Sequence, residues 1–156
     1  MNIRRAERKD ADRINALLFQ IAELHANGRP DIFKSGEKKY TDDELFGILE
    51  NDETPVFVAT DDSDFVIGYA FCIYRETKGD VLLSDMKTLY IDDLCVDESY
   101  RGGGIGKALF DFVRNEAKKT GCYNLTLNVW SFNESAARFY EKCGLKPMKT
   151  VMEELL

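Results

Sequence analysis

Apolar positions along the chain change their spacing several times, and each change marks a boundary. Met1 to Arg5 has the length of a short strand, after which Ile14, Leu17, Leu18, Ile21 and Leu24 recur at helical spacing until Gly28 and Pro30 end the run. Asn27 to Tyr40 shows little periodicity, and a loop of that length inside a compact domain is more often functional than a plain connection, so it is a candidate lid. Thr41 followed three residues later by Glu44 is a capping-box pattern, which predicts a short helix through Leu45, Ile48 and Leu49 that stops before Pro55.

Val56 to Ala59 and Phe65 to Tyr74 are rich in β-branched and aromatic residues, and the turn formers Asp61 to Asp64 between them predict an antiparallel hairpin. A third strand runs from about Thr88 to Val96. The period then becomes helical, with Ile105, Ala108, Leu109, Phe112, Val113 and Ala117 on one stripe that Gly121 ends. Tyr123 to Trp130 alternates as a strand, and Asn133 to Cys143 is helical through Ala136, Phe139 and Tyr140. Gly144 stops that helix, and Leu145 to Leu155 is expected to supply one or two last strands. The pattern, free of repeats, reads as a single domain over residues 1–156, of α+β class with α/β-like layers: a mixed sheet with helices on its faces.

Composition narrows the chemistry. At 156 residues and 44% hydrophobic content the chain buries about two thirds of its unfolded surface, so it needs neither metal nor disulfide to fold. Cys72, Cys95, Cys122 and Cys143 form no CxxC pair and His25 is the one histidine, so no metal is expected and the thiols should be reduced and mostly buried. The net charge of −7 argues against nucleic acid as a partner and favours approach of a cationic substrate such as an amine. No stretch has membrane-span length and the residues from Arg4 onward are charged rather than an apolar signal core, which points to the cytoplasm and away from membranes.

The switch from strand to helix passes through Arg101, Gly102, Gly103, Gly104, Ile105, Gly106 and Lys107. Several N–H groups converge there on a helix N-terminus, glycines admit positive φ, and two cations flank the loop, which suits an anion such as a nucleotide-derived diphosphate. The competing reading is a tight turn without ligand. Better-known glycine motifs fail by register. A dinucleotide fingerprint needs glycine at position 107 or 109, where Lys107 and Leu109 stand, and a phosphate loop needs glycine at 101 and Ser or Thr at 108, where Arg101 and Ala108 stand.

Two blocks carry a family resemblance. IDDLCVDESYRGGGIGKAL contains the [QR]xxGx[GA] pattern as Arg101 to Gly106, and NVWSFNESAARFYEKCGL follows about thirty residues later with Asn133, Ala136, Phe139, Tyr140, Gly144 and Leu145. Together and in this order, over Tyr90 to Pro147, they resemble the GNAT superfamily of acetyl-CoA-dependent N-acetyltransferases, nearest in pattern to the polyamine (spermidine/spermine-type) enzymes. The resemblance implies a mixed, largely antiparallel sheet of six to seven strands flanked by about four helices, acetyl-CoA as acetyl donor, a small amine acceptor and a homodimer. It implies that Arg101 to Lys107 hold the CoA pyrophosphate, that main-chain groups of the Leu94–Cys95–Val96 strand end meet the pantetheine and polarise the thioester carbonyl, that Asn133, Ala136 and Phe139 lie along the cofactor, and that Tyr140 sits by the sulfur as the acid.

Acyl transfer to an amine also needs a group to attract and deprotonate the ammonium. Asp92 and Asp93 are the candidates, and since neighbours on a strand face opposite ways, one points into the site unless a bulge intervenes. Asp92 is the expected one, matching the acidic position of polyamine acetyltransferases where a glutamate stands. His25 suits a C-terminal helix contact better than catalysis. Cys95 and Cys143 have no paired histidine and are read as buried rather than as acyl carriers. Trp130 and Phe132 pack or shape the acceptor pocket. The acidic residues Asp42 to Glu53 and the loop Arg29 to Phe33 are weaker candidates for an entrance and a closing flap. Two other readings stay open: a non-catalytic acyl-CoA-binding or sensory module, and an acetyltransferase acting on protein N-termini or lysines.

Overall fold

The computed structural model describes residues 1–156. Its elements run β1 (Asn2–Arg5), α1 (Ala11–Gly28), α2 (Asp42–Glu50), β2 (Val56–Thr60), β3 (Val66–Thr77), β4 (Met86–Val96), α3 (Ile105–Lys119), β5 (Asn124–Leu127) and α4 (Glu134–Lys142), with short 3-10 turns at Arg8–Asp10 and Glu98–Tyr100. The strands form one sheet in the order β1-β2-β3-β4-β5, antiparallel except for the parallel β4–β5 pair. The mixed, largely antiparallel sheet and its four helices match the expected architecture. The sheet has five strands and not six or seven, because residues 145–156 form no strand: Met148, Val151, Met152 and Leu155 are exposed and join neither edge of the sheet.

Sequence chemistry explains the element ends. Thr41 accepts the Glu44 N–H while Glu44 accepts the Thr41 N–H, the reciprocal cap that starts α2. Gly104, at φ +78°, caps α3 in the left-handed region, and Gly144, at φ +94°, ends α4 in the same region. Gly28 differs: it is the last residue of α1, and a Cβ there would clash with the Phe132 ring, so its smallness serves packing rather than a turn. The alternating strand expected from Tyr123 to Trp130 shrinks to Asn124–Leu127, since the chain leaves the ladder at Asn128.

The sheet separates two apolar layers. On one face α1 and α2 bury Ile14, Leu17, Leu18, Leu45 and Leu49 against Val56, Val58, Tyr69 and Cys95. On the other, α3 buries Leu109, Phe110 and Val113, while α4 leans Phe139 and Tyr140 onto the same layer. Each fully buried side chain of this kind contributes about 1.5–3 kcal/mol. No helix is long and apolar enough to cross a membrane.

The backbone approaches most closely at Gly68, where a Cβ would lie 2.9 Å from the Cys95 carbonyl oxygen and 3.2 Å from Leu109 Cδ1. Gly68→Ala is therefore expected to destabilise by about 1–3 kcal/mol, since it must separate β3 from β4 or push α3 outward. Gly47, in α2 with no atom within 4 Å of its Cβ position, is the control: Gly47→Ala is expected to stabilise by about 0.5–1 kcal/mol in urea titrations.

Candidate active site

The site is built on a ladder that stops halfway. β4 and β5 pair from Thr88↔Asn124 to Ile91↔Leu127, and β4 then continues for five more residues without a partner on that side. What draws β5 away is an aromatic anchor. Asn128 donates to the Tyr90 hydroxyl, the chain turns with Asn133 N–H on the Trp130 carbonyl, and Phe132 stacks on Trp130 and lies over Gly28 at the end of α1.

Register tells which main-chain groups face the gap. The Asp97 N–H donates to the Ile67 carbonyl, so alternate residues of this antiparallel pair, Asp97 and Cys95, direct their polar groups toward β3. Leu94 and Val96 direct theirs away from β3, into the opening. The Val96 carbonyl accepts from Gln20 Nε2 and Arg101 Nε, each at 3.3 Å. Gln20, on α1, was not foreseen, since a glutamine on a helix face carries no sequence signal of its own.

Below the gap lies the glycine loop. Gly102 (φ +84°) and Gly104 (φ +78°) take the left-handed conformation, and none of the six amide N–H groups from Gly102 to Lys107 donates to a protein acceptor. Gly103 and Ile105 belong to this row, Ile105 with its side chain buried under the sheet. Arg101 is exposed at the rim, while Lys107 is held by Asp111. Phe139 closes the wall: its ring lies 3.5 Å from where a Gly106 Cβ would be, beside Val96. Asn133 caps α4 by accepting the Ala136 N–H at 3.1 Å, which leaves its amide nitrogen free to donate. Such a row of donors at a helix N-terminus, beside an unpaired strand edge, fits a diphosphate joined to an amide-bearing arm.

At the upper end of the gap sit the carboxylates. The β3–β4 register slips between Phe71↔Asp93 and Cys72↔Ile91, which makes Asp92 the extra residue of a β-bulge. The slip reverses the parity of the strand: Ile91 packs on the α3 face, whereas Asp93 and Cys95 face α1. Asp92 is exposed and ion-pairs with Lys39 at 3.4 Å. Asp93 is the deeper acid. It accepts from the Tyr69 hydroxyl at 2.7 Å, and burial pushes its carboxyl up, against the Tyr69 hydrogen bond and the charges of Lys39 and His25. Tyr140 packs at the rim of the Phe110 and Phe139 rings; burial, then the nearby charge of Asp93, pushes its phenol up.

Asp93 is the carboxylate that Tyr140 feels, whereas Asp92, the residue expected from the sequence, is engaged by Lys39. Cys95 lies beside the site with its thiol pushed up to about 12 by burial, so it offers almost no thiolate at neutral pH. His25 stacks on Phe33 at 5.1 Å, and Phe33 meets Trp130 edge-on at 5.1 Å, so the loop after α1 joins an aromatic wall with Trp130 and Phe132. Burial, the larger influence, lowers the His25 imidazole, and the charges of Asp93 and Lys39 pull it in opposite directions. Tyr69 and Lys39 escaped sequence reading. A buried tyrosine hydroxyl requires a partner, which was the one available hint for Tyr69.

The chain is similar to known proteins along most of its length. The profile of the Acetyltransferase (GNAT) family matches residues 18–145. Glucosamine 6-phosphate N-acetyltransferase of Trypanosoma brucei brucei is 40% identical over 57 residues, 36% of this chain, and the match spans only 37% of that protein's length. Peptidyl-lysine N-acetyltransferase YjaB of Salmonella typhimurium is 26% identical over 146 residues, covering 94% of this chain and 83% of that one. The X-ray structure of a tetramutant of the BH1408 protein from Bacillus halodurans superposes with a TM-score of 0.96 at 33% identity over 100% of both chains.

Asp93 carries a stability signature. Its carboxyl titrates near 3.8 when unfolded and higher when folded, so between the two values the folded chain holds more protons and stability falls as pH rises. Asp93→Asn keeps an acceptor for Tyr69 and lacks that slope. The variant is expected to melt higher than the parent chain at neutral pH and to lose the advantage toward pH 3, as read by thermal denaturation across pH.

Proposed function

Because the chain belongs to the Acetyltransferase (GNAT) family, we propose that it is an N-acetyltransferase that moves the acetyl group of acetyl-CoA directly to a primary amine of a small cationic acceptor, as its motif likeness to polyamine acetyltransferases suggests. The carrying observation is the unpaired edge of β4 continuing into six unbonded amide N–H groups. Leu94 and the Val96 N–H would hold the pantetheine amides as a neighbouring strand would, the Val96 carbonyl being taken by Gln20 and Arg101, the Gly102–Lys107 amides and Arg101 the diphosphate, and the Asn133 amide the arm between them. When bound, acetyl-CoA supplies an activated acyl carbon.

The chain's own residues do the rest. An alkyl ammonium of pKa near 10.4 costs about 4–5 kcal/mol to deprotonate at neutral pH, which calls for a base and a desolvating pocket. Asp92 attracts and orients the ammonium; Asp93, with its raised affinity for protons, takes one through contact or a water. A main-chain N–H at Leu94 or Val96 would supply the donor for the carbonyl oxygen on which charge develops. Tyr140 keeps its proton throughout the working pH range and gives it to the departing thiolate. Direct transfer is favoured over an acyl-cysteine by the raised Cys95 thiol. The aromatic wall of Phe33, Trp130 and Phe132 suits a cation on an alkyl chain. The proposed setting is the cytoplasm, supported by four unpaired thiols, and the proposed assembly is a homodimer, supported by the exposed apolar Met148, Val151 and Met152.

Acetyl-CoA is expected to raise the melting temperature, and Gly104→Val to abolish that shift, since a β-branched residue cannot cap α3 at φ +78°. With a panel of amines, Tyr140→Phe should lower kcat about 100-fold while the KM for acetyl-CoA stays within about twofold. Unchanged turnover would remove Tyr140 from the acid role, and a melting temperature indifferent to acetyl-CoA would remove the function itself.

A further inference from the structure

Lys39 sets an amine of the chain's own against the site carboxylates. It lies in the irregular segment between α1 and α2, yet its Nζ is 3.4 Å from Asp92 Oδ2 and 5.2 Å from the centre of the Tyr40 ring. Asp93 also acts on its charge, and Lys39 in turn acts on His25. Its neighbour Lys38 points elsewhere and pairs with Asp42 at 2.7 Å on the open surface. One lysine of an adjacent pair is thus drawn to the bulge, at the start of the open strand edge, in the place where an acceptor ammonium would be held.

We propose that Lys39 is an internal acceptor: the chain acetylates its own Lys39 Nζ from acetyl-CoA. The inference rests on the function proposed above. The Lys39 ammonium first releases a proton to the site carboxylates and from there to solvent. The neutral Nζ then forms a bond to the acetyl carbon, the bond from that carbon to sulfur breaks, and the second Nζ proton ends on the thiol of free CoA. The products are Nε-acetyl-Lys39 and CoA, with no oxidant or further reactant. Because amine and donor are held by one chain, the reaction is unimolecular in the loaded protein. Acetylation removes the positive charge at Asp92, so the modification would convert a self-paired carboxylate into one free to hold an external cation.

The test incubates the purified full chain with acetyl-CoA and no added amine, then maps acetylation by peptide mass spectrometry. Lys39 is expected to be modified at least about tenfold faster than Lys38, which reports background chemical acetylation, at a rate independent of protein concentration. Tyr140→Phe should suppress the label at Lys39 and leave that at Lys38. Lys39→Arg, which keeps the ion pair to Asp92, should remove the label and keep the acetyl-CoA-induced rise in melting temperature. Labelling of Lys39 no faster than Lys38, in a chain that acetyl-CoA does stabilise, overturns self-acetylation alone. The same result in a chain that acetyl-CoA does not stabilise overturns it together with the proposed function.

Discussion

Backbone N–H and C=O groups must be paired, and β4 is a strand with half of one side left open. In a sheet this small the ordinary outcome is for the neighbour to run alongside to the end. Here β5 is pulled off after Leu127, because Phe132 is seated over Gly28 and Trp130 against Phe33, some hundred residues away in sequence. The aromatic contacts are apolar and short-range, but they determine where hydrogen bonding stops. The glycine loop extends the same condition: with two residues at positive φ, the chain turns into α3 while presenting a row of amides to one side. The candidate site is therefore a set of unmet main-chain needs, held apart by packing.

The bulge at Asp92 adds the charged half of the chemistry. A regular strand would send Asp92 and Asp93 to opposite faces; the inserted residue lets Lys39 reach Asp92 while Asp93 turns inward to Tyr69. Burying a carboxylate is costly, and the hydrogen bond from Tyr69 offsets part of the cost. The remainder shows as a carboxyl that holds its proton more tightly than usual, which is a liability for stability and an asset for a base. Stability is given up where chemistry is proposed.

The surroundings of that centre are loosely fastened by comparison. Arg29 bridges Asp31 and Glu153, which ties the loop after α1 to the C-terminal tail through exposed charges, and such pairs are screened and contribute little. The rigid elements thus carry the strand edge and the amides, while the side proposed for the acceptor is framed by irregular chain. This division suits a scaffold in which the donor site is constant and the acceptor site varies.

Much was legible from the amino acids alone. The helical stripes, the Thr41–Glu44 cap, the hairpin at Asp61–Asp64 and the strand–glycine–helix switch depend on interactions within a few residues, so periodicity and local chemistry define them. The two blocks around Arg101 and Asn133 carried the family resemblance for the same reason: their residues act through local backbone geometry. Contacts between distant segments were hidden. Whether Asp92 or Asp93 turns inward depended on a one-residue slip against β3, and no pattern within β4 records the register of its partner. Lys39 sits in a segment without period, and its approach to Asp92 exists only once α1 and α2 have packed on the sheet. The last strands expected after Gly144 are absent: residues 145–156 pair with neither free edge of the sheet and stay mostly exposed, an outcome set by tertiary packing that β-like composition does not record. Local chemistry wrote the elements; the pairing of remote surfaces decided which polar groups were left free to act.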